Sequence, residues 1–327
     1  WNLKKVNNNP ADDVAGWETP MYSILPGANP MFYIYKVGSD YQLIDLHVSN
    51  VIHFAEWQPG TEYIIAYSTV EPRQAAPGWQ ANNDLFFLSI DTETKLPETP
   101  SRILENSGGG VYGWWGTSYS WSNDGSLLAF SRPDGIGLVD VQTNSLSKLL
   151  DIIPLNTYSD WAWIPGIDWS PDGKTLYYTT HGTASGVISP EDSPTFDMHG
   201  YLLTSNQSIL LASNIGMFAY PTVSRVVEDN VYETLIGYLT AIFPSQSSTS
   251  RYRIYLMDRD GSEQHLLFPD ESNLGISPKS GWGAWSPENS SPLLGILYEG
   301  DIWLIDVISG AAQQITGDGL TSRMDWK

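Results

Sequence analysis

The chain has 327 residues, of which 41% are hydrophobic, and its 14 Trp, 18 Tyr and 9 Phe can fill one large hydrophobic core. It carries 37 acidic and 16 basic residues, for a net charge of -21. This excess argues against binding to nucleic acid or to anionic membrane surfaces, since both depend on Lys and Arg. The absence of cysteine excludes disulfides and thiolate sites, and no apolar run approaches the roughly 18 residues of a membrane-spanning helix.

The first 19 residues are polar and lack the strand pattern that follows, so we assign 1–19 as an N-terminal extension or linker. Residues 20–327 are predicted to form a single domain. The chain begins at Trp1, which we interpret as a processed start.

An internal repeat dominates the rest of the chain. A short apolar run ends in aspartate and enters a turn at five places, and a degenerate sixth copy around Thr204 fills a double-length gap. The five aspartates are Asp45, Asp91, Asp140, Asp258 and Asp306. The resulting spacing of about 50 residues is typical of propeller blades.

Each copy of the repeat predicts four strands. The first strand ends at a Trp before a tight turn, as in WSNDGS at Trp121 and WSPDGK at Trp169. The second is a nearly continuous apolar run such as TLYYTT, the third ends at the repeated aspartate, and the fourth follows a polar turn. The sequence therefore predicts an all-β fold, a β-propeller of four-stranded antiparallel blades.

We expect six blades. The C-terminal Asp325-Trp326 matches Asp168-Trp169, so the last residues are expected to form the innermost strand of the first blade. Its outer strands would be MFYIYK and YQLIDL. If YSILPGANPMFYIY instead supplies that blade's own inner strand, the C-terminus would begin a seventh blade.

The runs WSPDGKTLYYTT and WSNDGSLLAFS, followed by apolar strands that end in Asp, resemble the WD40-like (PD40) repeat of TolB-type propellers. The resemblance extends from about residue 20 onward. Related blades occur in periplasmic scaffold proteins and in the gating domains of prolyl peptidases, so the resemblance implies a periplasmic, cell-surface or secreted protein of the bacterial envelope. The G-x-S-x-G motif of the peptidases' hydrolase domain is absent.

Candidate binding residues fall in the long connections, which join second to third strands and one blade to the next. Trp and Tyr there combine rigid apolar area with a polar group, which suits protein hot spots and stacking on sugar rings. The alternative is that several of them pack between blades. The candidates are Trp79, Tyr112, Trp114, Trp115, Tyr158, Trp161, Trp163, His181 and Trp282.

Metal and catalytic patterns are weak. His181 and His199 bracket one loop and could form a divalent-metal pair, but none of the five histidines shows metal-ligand spacing. The run Asp258 to Gly261 resembles a calcium loop, and we interpret it as a hairpin turn. No catalytic residue, metal ligand or cofactor is assigned, and a divalent cation in the central channel is left open.

These observations favour a non-enzymatic extracytoplasmic propeller that acts as a protein-interaction or assembly scaffold through its long-loop, aromatic-rich face. Its partner would be another protein or further copies of the chain. The alternatives are a carbohydrate-binding or carbohydrate-cleaving propeller, and a metal-dependent hydrolase or lyase with its site at the central channel.

Overall fold

The computed structural model describes residues 33–35, 43–48, 51–61, 63–74, 79–94, 96–109, 116–155, 161–182, 195–224, 234–287, 292–322 and 324. Within these ranges the one helical element is a 3₁₀ turn at Pro244–Gln246. No helix found there is long and apolar enough to cross a membrane. The fold is all-β, a β-propeller built from four-stranded antiparallel blades.

The strands follow the predicted order. A two-stranded ribbon, β1 (Tyr33–Tyr35) and β2 (Leu43–Asp45), precedes the first blade. Blade 1 contains β3 (Val51–Trp57), β4 (Ile64–Pro72), β6 (Leu85–Ser89) and β7 (Ser101–Leu104), with β5 (Trp79–Ala81) paired to the end of β4. Blade 2 contains β8 (Ser118–Trp121), β9 (Leu127–Arg132), β10 (Gly135–Asp140) and β11 (Ser145–Asp151).

The last three blades repeat this meander. Blade 3 contains β12 (Ile167–Trp169), β13 (Thr175–His181), β14 (Phe196–Leu202) and β15 (Gln207–Ala212). Blade 4 contains β16 (Thr222–Val223), β17 (Leu235–Ala241), β18 (Tyr252–Asp258) and β19 (His265–Phe268). Blade 5 contains β20 (Gly283–Trp285), β21 (Leu293–Tyr298), β22 (Asp301–Asp306) and β23 (Ala312–Gln314).

The described chain divides into two compact units, Trp1–Thr117 with Arg132–Ile164, and Ser118–Ser131 with Pro165–Lys327. In the first unit, a core that includes Leu46, Tyr67 and Leu88 joins the segment after β2 to blade 1. In the second, two cores fill the spaces between blades 3 and 4 and between blades 4 and 5. The predicted division into 1–19 and 20–327 stays a prediction.

Within the second unit, the first strands of successive blades, β8, β12, β16 and β20, lie beside one another in chain order. Asp168 on β12 joins three of them, because its carboxylate accepts the Val223 N–H at 2.8 Å and approaches the Ser120 hydroxyl at 3.4 Å. The indole of Trp169 donates to the Ser120 carbonyl at 3.0 Å. Trp169 therefore joins blade 3 to blade 2.

Two of the repeated aspartates, Asp140 and Asp306, cap turns between third and fourth strands. The Asp140 carboxylate accepts the Thr143 N–H at 2.8 Å, and the Asp306 carboxylate accepts the Ser309 N–H at 3.0 Å. The same hydrogen bonds lower the pKa of both carboxyls, since they stabilise the charged form. These two aspartates thus close the hairpins between third and fourth strands of blades 2 and 5.

The prediction of six or seven blades is wrong. The described residues form five blades, four of them four-stranded sheets and blade 1 a four-stranded sheet extended by β5, and the copy at Asp45 forms only the ribbon β1–β2. The physical reason is chain length: Trp57 follows Asp45 closely, whereas a full strand and connection separate Asp140 from Trp169. The described residues after Asp45 therefore lead to β3 without forming a fourth strand. The proposed C-terminal strand at 325–327 lies outside the described residues.

Candidate functional site

Each blade has one end at which the second strand joins the third, here called its long-loop end. In blade 1, β4 pairs first with β6 and then with β5, so this connection starts as a two-stranded extension. Val70, Trp79 and Ala81 form a small core within it. The ring of Trp79, a predicted binding residue, is therefore buried in the extension.

Asn83 holds both ends of the connection between blades 1 and 2. Its side-chain amide donates to the Ser107 carbonyl at 3.3 Å, where the connection begins, and its Oδ1 accepts the Thr117 hydroxyl at 3.1 Å, where it ends. Asn83 has a positive φ of 58°, which Asn tolerates better than most residues. A β-carbon at Gly116 would lie 2.0 Å from Asn83 Oδ1, so glycine is needed there. The connection is therefore closed at its base by one buried side chain.

Asp84 lies next to Asn83 and anchors the same corner. Its carboxylate accepts the Thr69 N–H at 2.7 Å, the Thr69 hydroxyl at 2.6 Å and the Ser68 hydroxyl at 3.1 Å. Burial raises the pKa of Tyr67 to about 12, and the negative charge of Asp84 adds to this effect. The buried charge is thus matched by several donors, as the low dielectric of the interior requires.

Tyr252 connects two loops at the long-loop end of blade 4. Its fully buried hydroxyl donates to the Ser247 carbonyl at 2.7 Å and accepts the Phe218 N–H at 3.2 Å. The first partner belongs to the connection between β17 and β18, and the second to the connection between blades 3 and 4. Burial raises the pKa of Tyr252 to about 12. One phenol therefore fixes two loops against each other.

The same end of blades 4 and 5 carries an exposed apolar surface. We define the blade 4–5 surface as Phe243, Arg251, Leu274, Tyr298 and Glu299. Arg251 donates to the Gly275 carbonyl at 2.8 Å and to the Glu299 carboxylate at 2.9 Å, and the Tyr298 hydroxyl donates to the Leu274 carbonyl at 2.9 Å. Phe243 and Leu274 are 62% and 63% exposed.

The loop segments that carry these two side chains are neighbours. Ile242 donates its N–H to the Arg251 carbonyl at 2.9 Å, and Tyr252 and Ile276 exchange backbone hydrogen bonds of 2.9 and 2.7 Å. Beneath Tyr298 lie Phe268 and Trp303, with ring centroids 5.1 and 6.0 Å from that of Tyr298. The surface therefore stands on an aromatic cluster and on paired backbone.

The predicted site residues differ in burial and lie in both units of the chain. Trp163 and Trp282 are 1% and 2% exposed, and the Trp282 indole donates to the Tyr220 carbonyl at 2.9 Å. Trp161 and His181 are half-buried. Trp79 and Trp163 belong to the first unit and Trp282 to the second. Tyr112, Trp114, Trp115 and Tyr158 lie outside the described residues. That any of the nine binds a ligand stays a prediction.

Asn83, Tyr252, Phe243 and Leu274 were not singled out in the sequence. The run Asn82-Asn83-Asp84 is a recognisable turn signal that could have indicated the first. Phe243 and Leu274 each lie in a connection recognised as long, but each is a single apolar residue there. Their proximity depends on pairing between loops, which has no local sequence signal.

The histidines and the run Asp258 to Gly261 are the candidates for a metal site in the sequence. In the described part of the chain, no three His, Asp or Glu residues are arranged to hold a metal ion. Asp258 to Gly261 forms a hairpin turn, as predicted, because the Asp258 N–H donates to the Ser262 carbonyl at 2.9 Å and Gly261 has a φ of 86°. His199 stacks on Tyr178 at 5.4 Å, and burial lowers its pKa, although Asp197 acts in the opposite direction.

No protein-family model and no curated protein matches the sequence, so the TolB-type assignment stays a prediction. Solved structures do match. Acylaminoacyl peptidase of Pyrococcus horikoshii is 12% identical with a TM-score of 0.44, over 80% of this chain and 39% of that one. Tricorn protease is 11% identical with a TM-score of 0.49, over 87% and 28%. The β-propeller domain of the trilobed protease from Pyrococcus furiosus is 12% identical with a TM-score of 0.39, over 80% and 70%.

The chain thus spans well under half of the two complete peptidases. Other similar structures include an oligogalacturonate lyase and an auxiliary nutrient binding protein. At such low identity and TM-score, the likeness carries no argument about what this chain binds or catalyses.

Proposed function

We propose that the chain is a non-enzymatic β-propeller that binds a protein partner through the blade 4–5 surface. The observation that carries the proposal is the pair Phe243 and Leu274, two large apolar side chains exposed on neighbouring loop segments. Apolar side chains that project together from one end of a domain are typical of protein contact sites. The same proposal locates the protein in the periplasm, on the cell surface or outside the cell, as the TolB resemblance implies.

The framework under the surface supports this role. Tyr252 fixes the loop before β18, and Arg251 connects the Gly275 carbonyl with the Glu299 carboxylate. Loops held in this way lose little conformational entropy when a partner binds, so more of the contact energy remains as affinity. Glu299 and Arg251 also provide the polar rim that usually surrounds an apolar contact.

A carbohydrate ligand is the alternative, since Trp rings suit sugar stacking. Of the predicted Trp residues that the structure describes, only Trp161 is more than slightly exposed. We therefore favour a protein partner. A glycan array probed with the purified chain separates the two: binding that depends on Trp161 and not on Phe243 would favour the sugar.

The test is affinity capture from a detergent extract of the native envelope, with partners quantified by mass spectrometry. We expect the variant Phe243→Ser/Leu274→Ser to lose a protein that the natural sequence retains. Ile308→Ser is the matched control, because Ile308 is 79% exposed in the turn between β22 and β23, at the opposite end of blade 5. Equal capture by all three proteins would overturn the proposal.

A further inference from the structure

The outer strand of blade 3 has an open edge in the described part of the chain. β15 is the last strand in the order β12-β13-β14-β15, and no described strand pairs with its other side. Residues 207–210 are exposed, and among them Ile209 and Leu210 are 38% and 57% exposed. An outer strand with free backbone groups and apolar side chains can add a further strand by main-chain hydrogen bonding.

This edge lacks the charges that protect others in the same fold. An ion pair between Arg102 and Glu105 flanks β7, and one between Lys148 and Asp151 lies on β11. From residue 200 to residue 224 the sequence contains no Asp, Glu, Lys or Arg. β23 is also uncharged, but it spans three residues, Ala312–Gln314, and has no large apolar side chain. Among the outer strands β7, β11, β15 and β23, β15 is therefore the long one that is apolar and has no charged residue beside it.

Charge decides which partner suits this edge. Two copies of a chain with net charge -21 repel each other over most of their surfaces. Repulsion is least where two uncharged segments meet, and a two-fold axis through β15 would bring the same segment of each copy together. We propose that β15 pairs antiparallel with β15 of a second copy, to form a continuous sheet across two blades 3.

The neighbouring blade limits the extent of the pairing. The Gln264 side chain donates to the Leu211 carbonyl at 2.7 Å, and a β-carbon on Gly261 would lie 2.9 Å from the same oxygen. The end of β15 near Leu211 is therefore already occupied, and the open edge consists of residues 207–210. This short contact predicts a concentration-dependent dimer in place of a permanent one.

The test is sedimentation velocity of the full chain over a concentration series, at about 50 mM and about 500 mM NaCl. We expect a dimer that strengthens with salt, because salt screens the repulsion between the acidic copies. Leu210→Lys should weaken the dimer about tenfold or more, since it adds two like charges to the contact. Leu146→Lys is the matched control: Leu146 is 50% exposed on the outer strand β11, and the change in net charge is the same.

A monomer at every concentration and salt, or a dimer weakened equally by Leu210→Lys and Leu146→Lys, would overturn the proposal. Hydrogen exchange provides a second readout on the natural sequence. The amides of 207–210 should exchange more slowly as the dimer fraction rises, and unchanged exchange in a populated dimer would also overturn it. Failure here leaves the blade 4–5 surface untouched, because the two sites share no residue.

Discussion

Replacement of Tyr252 by Phe tests whether one hydroxyl fixes the loops beneath the blade 4–5 surface. The ring would stay, so no large cavity forms and the change is confined to two hydrogen bonds. The Ser247 carbonyl and the Phe218 N–H would each lose a partner at 2.7 and 3.2 Å. A typical hydrogen bond contributes about 0.5–1.5 kcal/mol net, so the loss of two should lower the free energy of unfolding by about 1–3 kcal/mol.

The assay is urea unfolding combined with hydrogen exchange. In addition to the loss of global stability, the amides in 214–218 and 244–250 should exchange faster. Local opening of these segments requires less free energy once the hydrogen bonds of Tyr252 are removed. Tyr255→Phe is the matched control, since Tyr255 is half-buried on the same strand and its hydroxyl has no hydrogen bond in the described structure. Tyr255→Phe should lower the free energy of unfolding by no more than about 0.5 kcal/mol. Equal effects of the two substitutions would refute the assignment of Tyr252 as the connecting residue.

Two further predictions concern Asn83 and His199. Asn83→Ala should destabilise the protein more than Asn83→Gly does. Both variants lose the hydrogen bonds to Ser107 and Thr117, but the positive φ costs Ala about 1 kcal/mol more than Gly. Equal free energies of unfolding in urea for the two variants would contradict this prediction. Because the pKa of His199 is lower in the folded protein, this histidine is protonated in the unfolded chain at a higher pH than in the folded one. Its contribution to the free energy of unfolding is therefore complete above about pH 6.5 and decreases below that pH. His199→Gln should therefore lose less stability between about pH 7.5 and about pH 5.5 than the natural sequence, and parallel losses would show that His199 is not responsible.

The strand order and the turn chemistry could be predicted because both are local. Four of the five blades begin with a strand that ends in Trp, and a Gly with positive φ follows in turns such as those at Gly125 and Gly173. The Ser170 hydroxyl donates to Asp172 at 2.6 Å and closes the S-P-D-G turn from within. Such patterns need no information from distant residues, so the sequence carries them in full.

The predicted number of blades was wrong because a repeat motif marks one hairpin and not a whole blade. The motif at Asp45 specifies the end of a third strand, and the structure has a strand there, β2. Whether two more strands complete a blade depends on the length of chain available on either side. The short interval from Asp45 to Trp57 was visible in the sequence, and it decides the question once strand lengths are counted.

The binding residues could not be found by the same route, because aromatic rings serve both packing and recognition. Trp282 and Phe243 lie in connections of the same class, yet Trp282 is buried and donates to Tyr220 while Phe243 points to solvent. Burial of a large ring in a loop is favourable wherever a neighbouring blade leaves space, at about 25 cal/mol per Å² of apolar area. Phe243 is exposed on a loop segment whose backbone is fixed by the pairing of Ile242 with Arg251. Exposure in this fold is therefore a property of loop pairing, and a scan of exposed apolar residues on paired loops should locate contact surfaces better than a count of tryptophans.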